Sequence, residues 1–152
     1  GLTRRVRVIA VSKDRVKAGT IKTYEQLAEP ALKGKVCTRQ GSHVYNRALL
    51  ASMIAAHGPE KAETWAKGIV ANLAQKPQGG DREQVKAIKE GVCDVALINN
   101  YYYGLMKFNK GKPEQQEWAN SVYLVFPNQD NRGTHVNISG AGITKPPPPG
   151  RR

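Results

Sequence analysis

The chain is poor in several things that would have pointed elsewhere. It has no GxxxxGK[ST], GxGxxG or HExxH pattern and no paired acid and base, so an enzymatic role has little support. No apolar run approaches the roughly 20 residues of a membrane helix, and no signal-peptide pattern opens the sequence. Internal repeats are absent, and nothing has the CxxC or zinc-ligand spacing. Acidic residues are scarce, 12 against 24 Lys and Arg, which leaves a net charge of +12. That excess favours an anionic partner: nucleic acid, anionic lipid, or a small anion drawn into a cleft. The basic residues are scattered, with Arg4, Arg5 and Arg7 the densest group.

What remains is a chain of 152 residues, 39% hydrophobic, long enough to bury one core without a metal or a partner as a staple. Its two cysteines, Cys37 and Cys93, each sit in a short β-branched run that reads as a buried strand. Neighbouring strands would bring them within reach of a disulfide and imply an oxidising compartment; two buried free thiols are the alternative.

The residue pattern predicts a strand over Val6–Ser12, a short helix capped by Thr23 and stopped by Pro30, and a strand at Val36–Thr38. Tyr45, Leu49, Leu50, Met53 and Ile54 recur at helical spacing up to His57-Gly58, and Pro59 opens a second helix carrying Ala62, Trp65, Ala66 and Ile69. Asp81 is expected to cap a third helix that ends at Gly91. The strand Val92–Ile98 follows, then a helix through Met106, a helix over Pro113–Asn120, and strands at Val122–Phe126 and His135–Ile138. This alternation implies a three-layer α/β domain with a central sheet flanked by helices. Residues 1–145 read as a single α/β lobe, and the Pro-rich segment 146–152 reads as a linker or an engineered end, because proline fixes φ and lacks the donor.

Tyr101-Tyr102-Tyr103, after Asn99-Asn100, is the most distinctive run. Three successive phenols leave the chain in different directions and serve packing poorly. A helix starting at a strand's carboxyl end can instead aim them at the point where open α/β sheets bind ligands. Hard phenolate oxygens suit a hard trivalent cation, which strips the proton from a group whose ordinary pKa is about 10.

Several segments carry a family likeness: Gly34-Lys35-Val36-Cys37, Tyr45-Asn46, Lys76-Pro77-Gln78-Gly79-Gly80-Asp81, Asp94 through Gly104, and Phe126-Pro127-Asn128-Gln129 with Gly133 through Gly142. On these the chain resembles the second lobe of a periplasmic ferric-ion-binding protein, the substrate-binding component of an iron ABC transporter with a transferrin-like site. The resemblance implies a type II periplasmic-binding-protein lobe, with Fe(III) as cargo and a membrane permease as partner of the full-length relative. It implies iron held by the phenolates of Tyr45, Tyr101 and Tyr102 with a synergistic carbonate or similar oxyanion, and it leaves Tyr103 to packing. Family members have two lobes with iron in the cleft between them. Only one is expected here, and two copies facing each other would close the half-site.

For the anion, the residues offer backbone donors at Gly41 and Ser42, where a helix begins, and guanidinium groups from Arg5 or Arg39. Arg4 and Arg7 read equally well as solvent-exposed. His43 is the one histidine retained near the site, His57 is expected to cap helix carbonyls, and His135 to be structural. Asp94 reads as a strand-edge residue. A basic module that stacks exposed tyrosines on nucleic-acid bases, and an iron-inactive lobe, are the competing readings.

Overall fold

A ten-residue strand, β1 (Thr3–Ser12), is the spine of the sheet. β2 (Val36–Cys37), β3 (Val95–Asn99) and β4 (Val122–Val125) complete the order β2-β3-β1-β4, and β5 (Val136–Ser139) pairs with the first half of β1. Only β2 and β3 run parallel; β3, β4 and β5 are all antiparallel to β1. This computed structural model describes residues 1–145, so the expected Pro-rich tail lies outside the described residues.

The period of two along the strands decides which layer each side chain enters. Ile9, Val11, Val95 and Leu97 face one layer, where they meet Leu49 and Met53 of α1 (Val44–His57) and Ala62 and Ile69 of α2 (Pro59–Asn72). Val8, Ala10, Ala96 and Ile98 face the other, against Val85 and Ile88 of α3 (Asp81–Lys89), Met106 of α4 (Asn100–Lys107) and Ala119 of α5 (Pro113–Asn120). The mixed sheet is thus buried on both faces, which is the expected three-layer arrangement.

Differences from expectation lie at element ends. β1 starts three residues early, because Thr3–Val6 pairs with β5 in a ribbon whose outer side chains are exposed. The helix expected after Thr23 is two 3-10 turns, Glu25–Ala28 and Pro30–Leu32, broken where Glu29 is extended ahead of proline. Tyr24 rather than Thr23 holds the cap position of the first turn, and the Thr23 hydroxyl, one residue earlier, accepts the Gln26 amide at 3.2 Å. β3 begins at Val95 rather than Val92, since the Val92 amide still bonds back to Ala87 at the end of α3. Gly68 lets α2 close onto the turn at Ala28; a methyl group there would sit 2.7 Å from the Ala28 Cβ.

Two cross-links tie distant segments. Cys37 at the end of β2 is bonded to Cys93 just before β3, across 56 residues of chain. Near the far end of α1, the Glu25 carboxylate accepts from His57 Nε2 (2.9 Å), Arg132 Nη1 (2.6 Å) and Asn128 Nδ2 (2.8 Å). His57 therefore pairs with a carboxylate instead of capping carbonyls, because Glu25 reaches it first. Partial burial pushes the Glu25 carboxyl up, but the hydrogen bonds from Asn128, His57 and Arg132 outweigh it and hold the group down at about 2.

Two measurements check these links. Replacing both cysteines with alanine is expected to cost about 4 kcal/mol in the chain-entropy model, read as a lower urea midpoint that reductant reproduces in the unaltered protein. For Glu25 the folded value lies below the ordinary one, so its stabilisation is present above about pH 4 and is lost as pH falls toward 2. Glu25→Gln should flatten the acid limb of the stability curve over that window; an unchanged limb would show that the three contacts do not hold the charge.

Candidate metal centre

The centre is built where the carboxyl end of β3 runs into α4. Asn99 ends the strand with extended backbone and Asn100 begins the helix, so Tyr101 and Tyr102 fall on the first turn of α4. Tyr45 is on the first turn of α1, which follows the β2 edge. The two helix starts face each other, and the hydroxyls of Tyr45 and Tyr101 are 3.0 Å apart. The Tyr101 and Tyr102 rings stack, with centroids 4.3 Å apart and planes at 29°. All three phenols are half-buried. Tyr103 turns away into the second layer, where Lys107 Nζ donates to its hydroxyl at 3.3 Å.

Cations surround these rings. The Arg39 guanidinium lies 5.2 Å from the Tyr45 ring centroid and that of Arg7 lies 5.7 Å from it, while Arg82 sits 4.9 Å from Tyr102. The hydroxyl of Tyr101 beside it holds the Tyr45 phenol below its ordinary value, with burial opposing and a smaller downward pull from Arg5. Tyr101 is driven well above its ordinary value by burial first, then by its bonds to Tyr102 and Tyr45. The contact thus makes ionisation of Tyr45 easier and that of Tyr101 harder. A cation at the shared oxygens would have to displace the Tyr101 proton, so binding there competes with acid.

Behind the phenols is the feature the sequence reading missed. Arg7, 1% exposed, donates to Asp81 Oδ2 at 2.8 Å, to Asn99 Oδ1 at 3.2 Å and to Asn46 Oδ1 at 2.7 Å. Asp81 also accepts the Asn99 amide at 2.7 Å and Arg39 Nη1 at 3.4 Å. Two expectations are corrected here. Asp81 is not the cap of α3: Gly80 holds that position, and its amide is taken by Glu83 Oε2 at 2.9 Å. Nor is Arg7 on the surface; it lies on the Ile9 and Val11 face of a buried strand, directly opposite Asn99. The period of two in β1 was the signal that could have placed it. Burial lowers the affinity of Arg7 for its proton, and Asp81 opposes that without reversing it.

The remaining predicted residues are dispersed. Arg4 is exposed, as one of its two readings had it. Arg5 is half-buried and donates to Ser139 Oγ at 3.0 Å. Arg39, Ser42, His43 and Arg47 line an open depression of about 580 Å³ beside the phenols. Gly41 instead borders an apolar crevice of about 150 Å³ under Leu49, Trp65 and Ile69. His43 caps α1, its Nδ1 accepting the Tyr45 amide at 3.2 Å, and its ring meets the Tyr45 ring edge-on. His135 lies just before β5, its backbone amide donating to the Tyr24 hydroxyl at 3.0 Å. Asp94 pairs with Arg15 at 2.6 Å at the sheet's edge. Among the described residues, no group of three His, Cys, Asp or Glu side chains is placed to hold a metal, so tyrosine is the hard-donor set on offer.

This lobe, with its mixed sheet and a phenol cluster at the strands' carboxyl edge, is that of a periplasmic binding protein. No family model matches the chain. Iron uptake protein A1 of Synechocystis is 45% identical over 148 residues, 97% of this chain and 41% of that protein. The ferric ion-binding protein A of Pasteurella haemolytica, solved in its apo form, is 51% identical with a TM-score of 0.84 over 91% of this chain and 43% of its own. A Trichodesmium protein labelled IdiA or FutA, solved in complex with iron and citrate, is 46% identical with a TM-score of 0.88 over 91% and 43%. The chain matches a one-lobe portion of the ferric-ion-binding protein family and spans less than half the length of these relatives.

The buried pair makes its own prediction. Asp81→Ala leaves the Arg7 charge buried without its partner and should cost about 3–5 kcal/mol, read by urea denaturation. The double replacement Arg7→Met with Asp81→Leu should recover most of that loss. A double variant as unstable as the single one would mean that the two side chains do not act as a pair.

Proposed function

We propose that this chain binds ferric iron through the phenolate oxygens of Tyr45, Tyr101 and Tyr102, with a small oxyanion completing the coordination, as one lobe (1–145) of a periplasmic iron-transport protein. The observation that carries this is the 3.0 Å contact between hydroxyls from two helices that start 56 residues apart in the chain. Hydroxyls so close share a proton when neutral and repel when ionised, an arrangement a hard cation relieves. Three phenolates neutralise Fe(III) and leave positions open in an octahedron. A carbonate-like oxyanion would fill them, and the Trichodesmium relative's citrate is a second oxyanion of the same donor type.

Arg39 is the arginine best placed for the anion, since it borders both the Tyr45 ring and the depression lined by Ser42 and His43. Arg5 lies farther along β1 and acts on Tyr45 through its charge. The amide of Tyr45 is already committed to His43, and the amides of Gly41 and Ser42 are the ones assigned to the anion at this turn. The nucleic-acid reading is weakened here: the Tyr101 and Tyr102 rings stack on each other and the Tyr102 ring is covered by Arg82, so Tyr102 offers no free face to a base. An opposing surface, from another lobe or a second copy of the chain, would shield the metal from water and chelators, and a membrane permease would receive it.

The test is a visible spectrum. Ferric ion added as a weak chelate, with bicarbonate or citrate, should produce a phenolate-to-iron charge-transfer band that fades as pH falls. The double replacement Tyr101→Phe with Tyr102→Phe should abolish the band while the circular dichroism stays unchanged. A band that persists in the doubly substituted protein would sink the assignment.

A further inference from the structure

We infer that Arg82 is a further residue of the metal centre, a positioning residue that holds Tyr102 from the side away from Tyr101 and sets the acidity at which iron is released. The inference rests on the phenolate reading above and adds a residue that neither the sequence motifs nor the charge pattern had singled out.

The geometry begins one residue earlier. Asp81 accepts from Arg7, Arg39 and the Asn99 amide, so the first turn of α3 is fixed against both β1 and the end of β3. Arg82 is the next residue, and its half-buried side chain therefore leaves a turn that cannot drift. Its guanidinium carbon is 4.9 Å from the Tyr102 ring centroid, and Tyr102 in turn stacks on Tyr101 at 4.3 Å. The order guanidinium, ring, ring is a layered stack ending at the oxygens that meet Tyr45. On the other side Arg39 covers the Tyr45 ring. The cluster is bracketed by two arginines carried on unrelated segments.

What separates Arg82 from Arg4, Arg5 and Arg47, which likewise have no carboxylate within ion-pair distance among the described residues, is that its guanidinium lies over a phenol of the centre. Arg7, Arg15, Arg39 and Arg132 each have one within ion-pair distance, whereas among the described residues Arg82 has none. Its charge is thus not cancelled locally and acts on the phenol it covers. A cation over an aromatic face is attracted more strongly as that ring becomes electron-rich, and a phenolate is the extreme case. Three phenolates and an oxyanion around Fe(III) leave a net negative centre, which an uncancelled guanidinium stabilises. Protons compete for the same oxygens, so loss of Arg82 should let acid win earlier. Lysine would keep the charge but not the planar stack.

The experiment compares the iron-loaded protein with Arg82→Met and Arg82→Lys by acid titration of the visible band. Arg82→Met should keep its band and its fold by circular dichroism, with the midpoint of iron release raised by roughly half to one pH unit; Arg82→Lys should recover part of that shift. A merely structural role would leave the release midpoint where it is. A second reading needs no iron: the δ-methylene protons of Arg82 should show an upfield ring-current shift that Tyr102→Leu removes. A coloured Arg82→Met protein that releases iron at the pH of the unaltered protein overturns the part given to Arg82, as does the absence of the ring-current shift. A colourless unaltered protein that still shows the shift overturns the iron reading instead, and with it any place for Arg82 in a metal centre.

Discussion

The buried pairing of Arg7 with Asp81 is the constraint on which the site depends. A guanidinium 1% exposed requires compensation for the water it has lost, and it finds it in groups from three separate segments: Asn46 on α1, Asp81 on α3 and Asn99 at the end of β3. Those segments are also the ones that carry the phenols or flank them. Tyr45 precedes Asn46, Arg82 follows Asp81, and Tyr101 lies two residues beyond Asn99. This polar network thereby registers three helix starts against one strand, although Arg7 Nε and Asn99 Nδ2 stay without a hydrogen-bond partner among the described residues. Such a pair adds little net stability compared with an apolar substitute of the same shape, so its value here is positional.

The chemistry at the surface of that network follows from crowding. Phenols are hard donors at high cost in protons, and two hydroxyls at 3.0 Å cannot both ionise without a cation between or beside them. The arrangement separates their behaviour: Tyr45 is helped to ionise by its neighbour's hydroxyl, and Tyr101 is held neutral by burial and by the same contact. The surrounding arginines make the face basic without placing a cation at the oxygens themselves, which leaves room there for a metal. This local pattern gives the overall net charge of +12 a use that composition alone did not indicate.

Much of the fold could be read along the chain. Strand and helix order, the two buried faces and the prolines opening α2 and α5 all follow from periodicity and capping rules. The run Tyr101-Tyr102-Tyr103 could be read too, because adjacent aromatics at the end of a strand have few packing uses. Three things were not legible. Asp81 looked like a helix cap, since a carboxylate at a helix start ordinarily serves there, and only the approach of Arg7 turns it into a buried counter-ion. His57 looked like a carbonyl cap because nothing in the sequence links it to Glu25, 32 residues away. Arg82 carried no signal in the sequence, and its meaning depends on which ring lies beneath it.

The division between the two kinds of information has a physical basis. The linear pattern of apolar residues determines which faces are buried, because burial is nearly independent of which partner does the burying. It also supplies the chemical inventory: six tyrosines, two cysteines and a surplus of arginine and lysine. Proximity between Tyr45 and Tyr101, the pairing of Arg7 with Asp81 and the stacking of Arg82 on Tyr102 are directional contacts over a few ångströms between segments far apart in the chain. Their geometry exists only once the sheet has brought the carboxyl ends of β2 and β3 and the start of β1 to one edge, and so it was the tertiary structure that decided it.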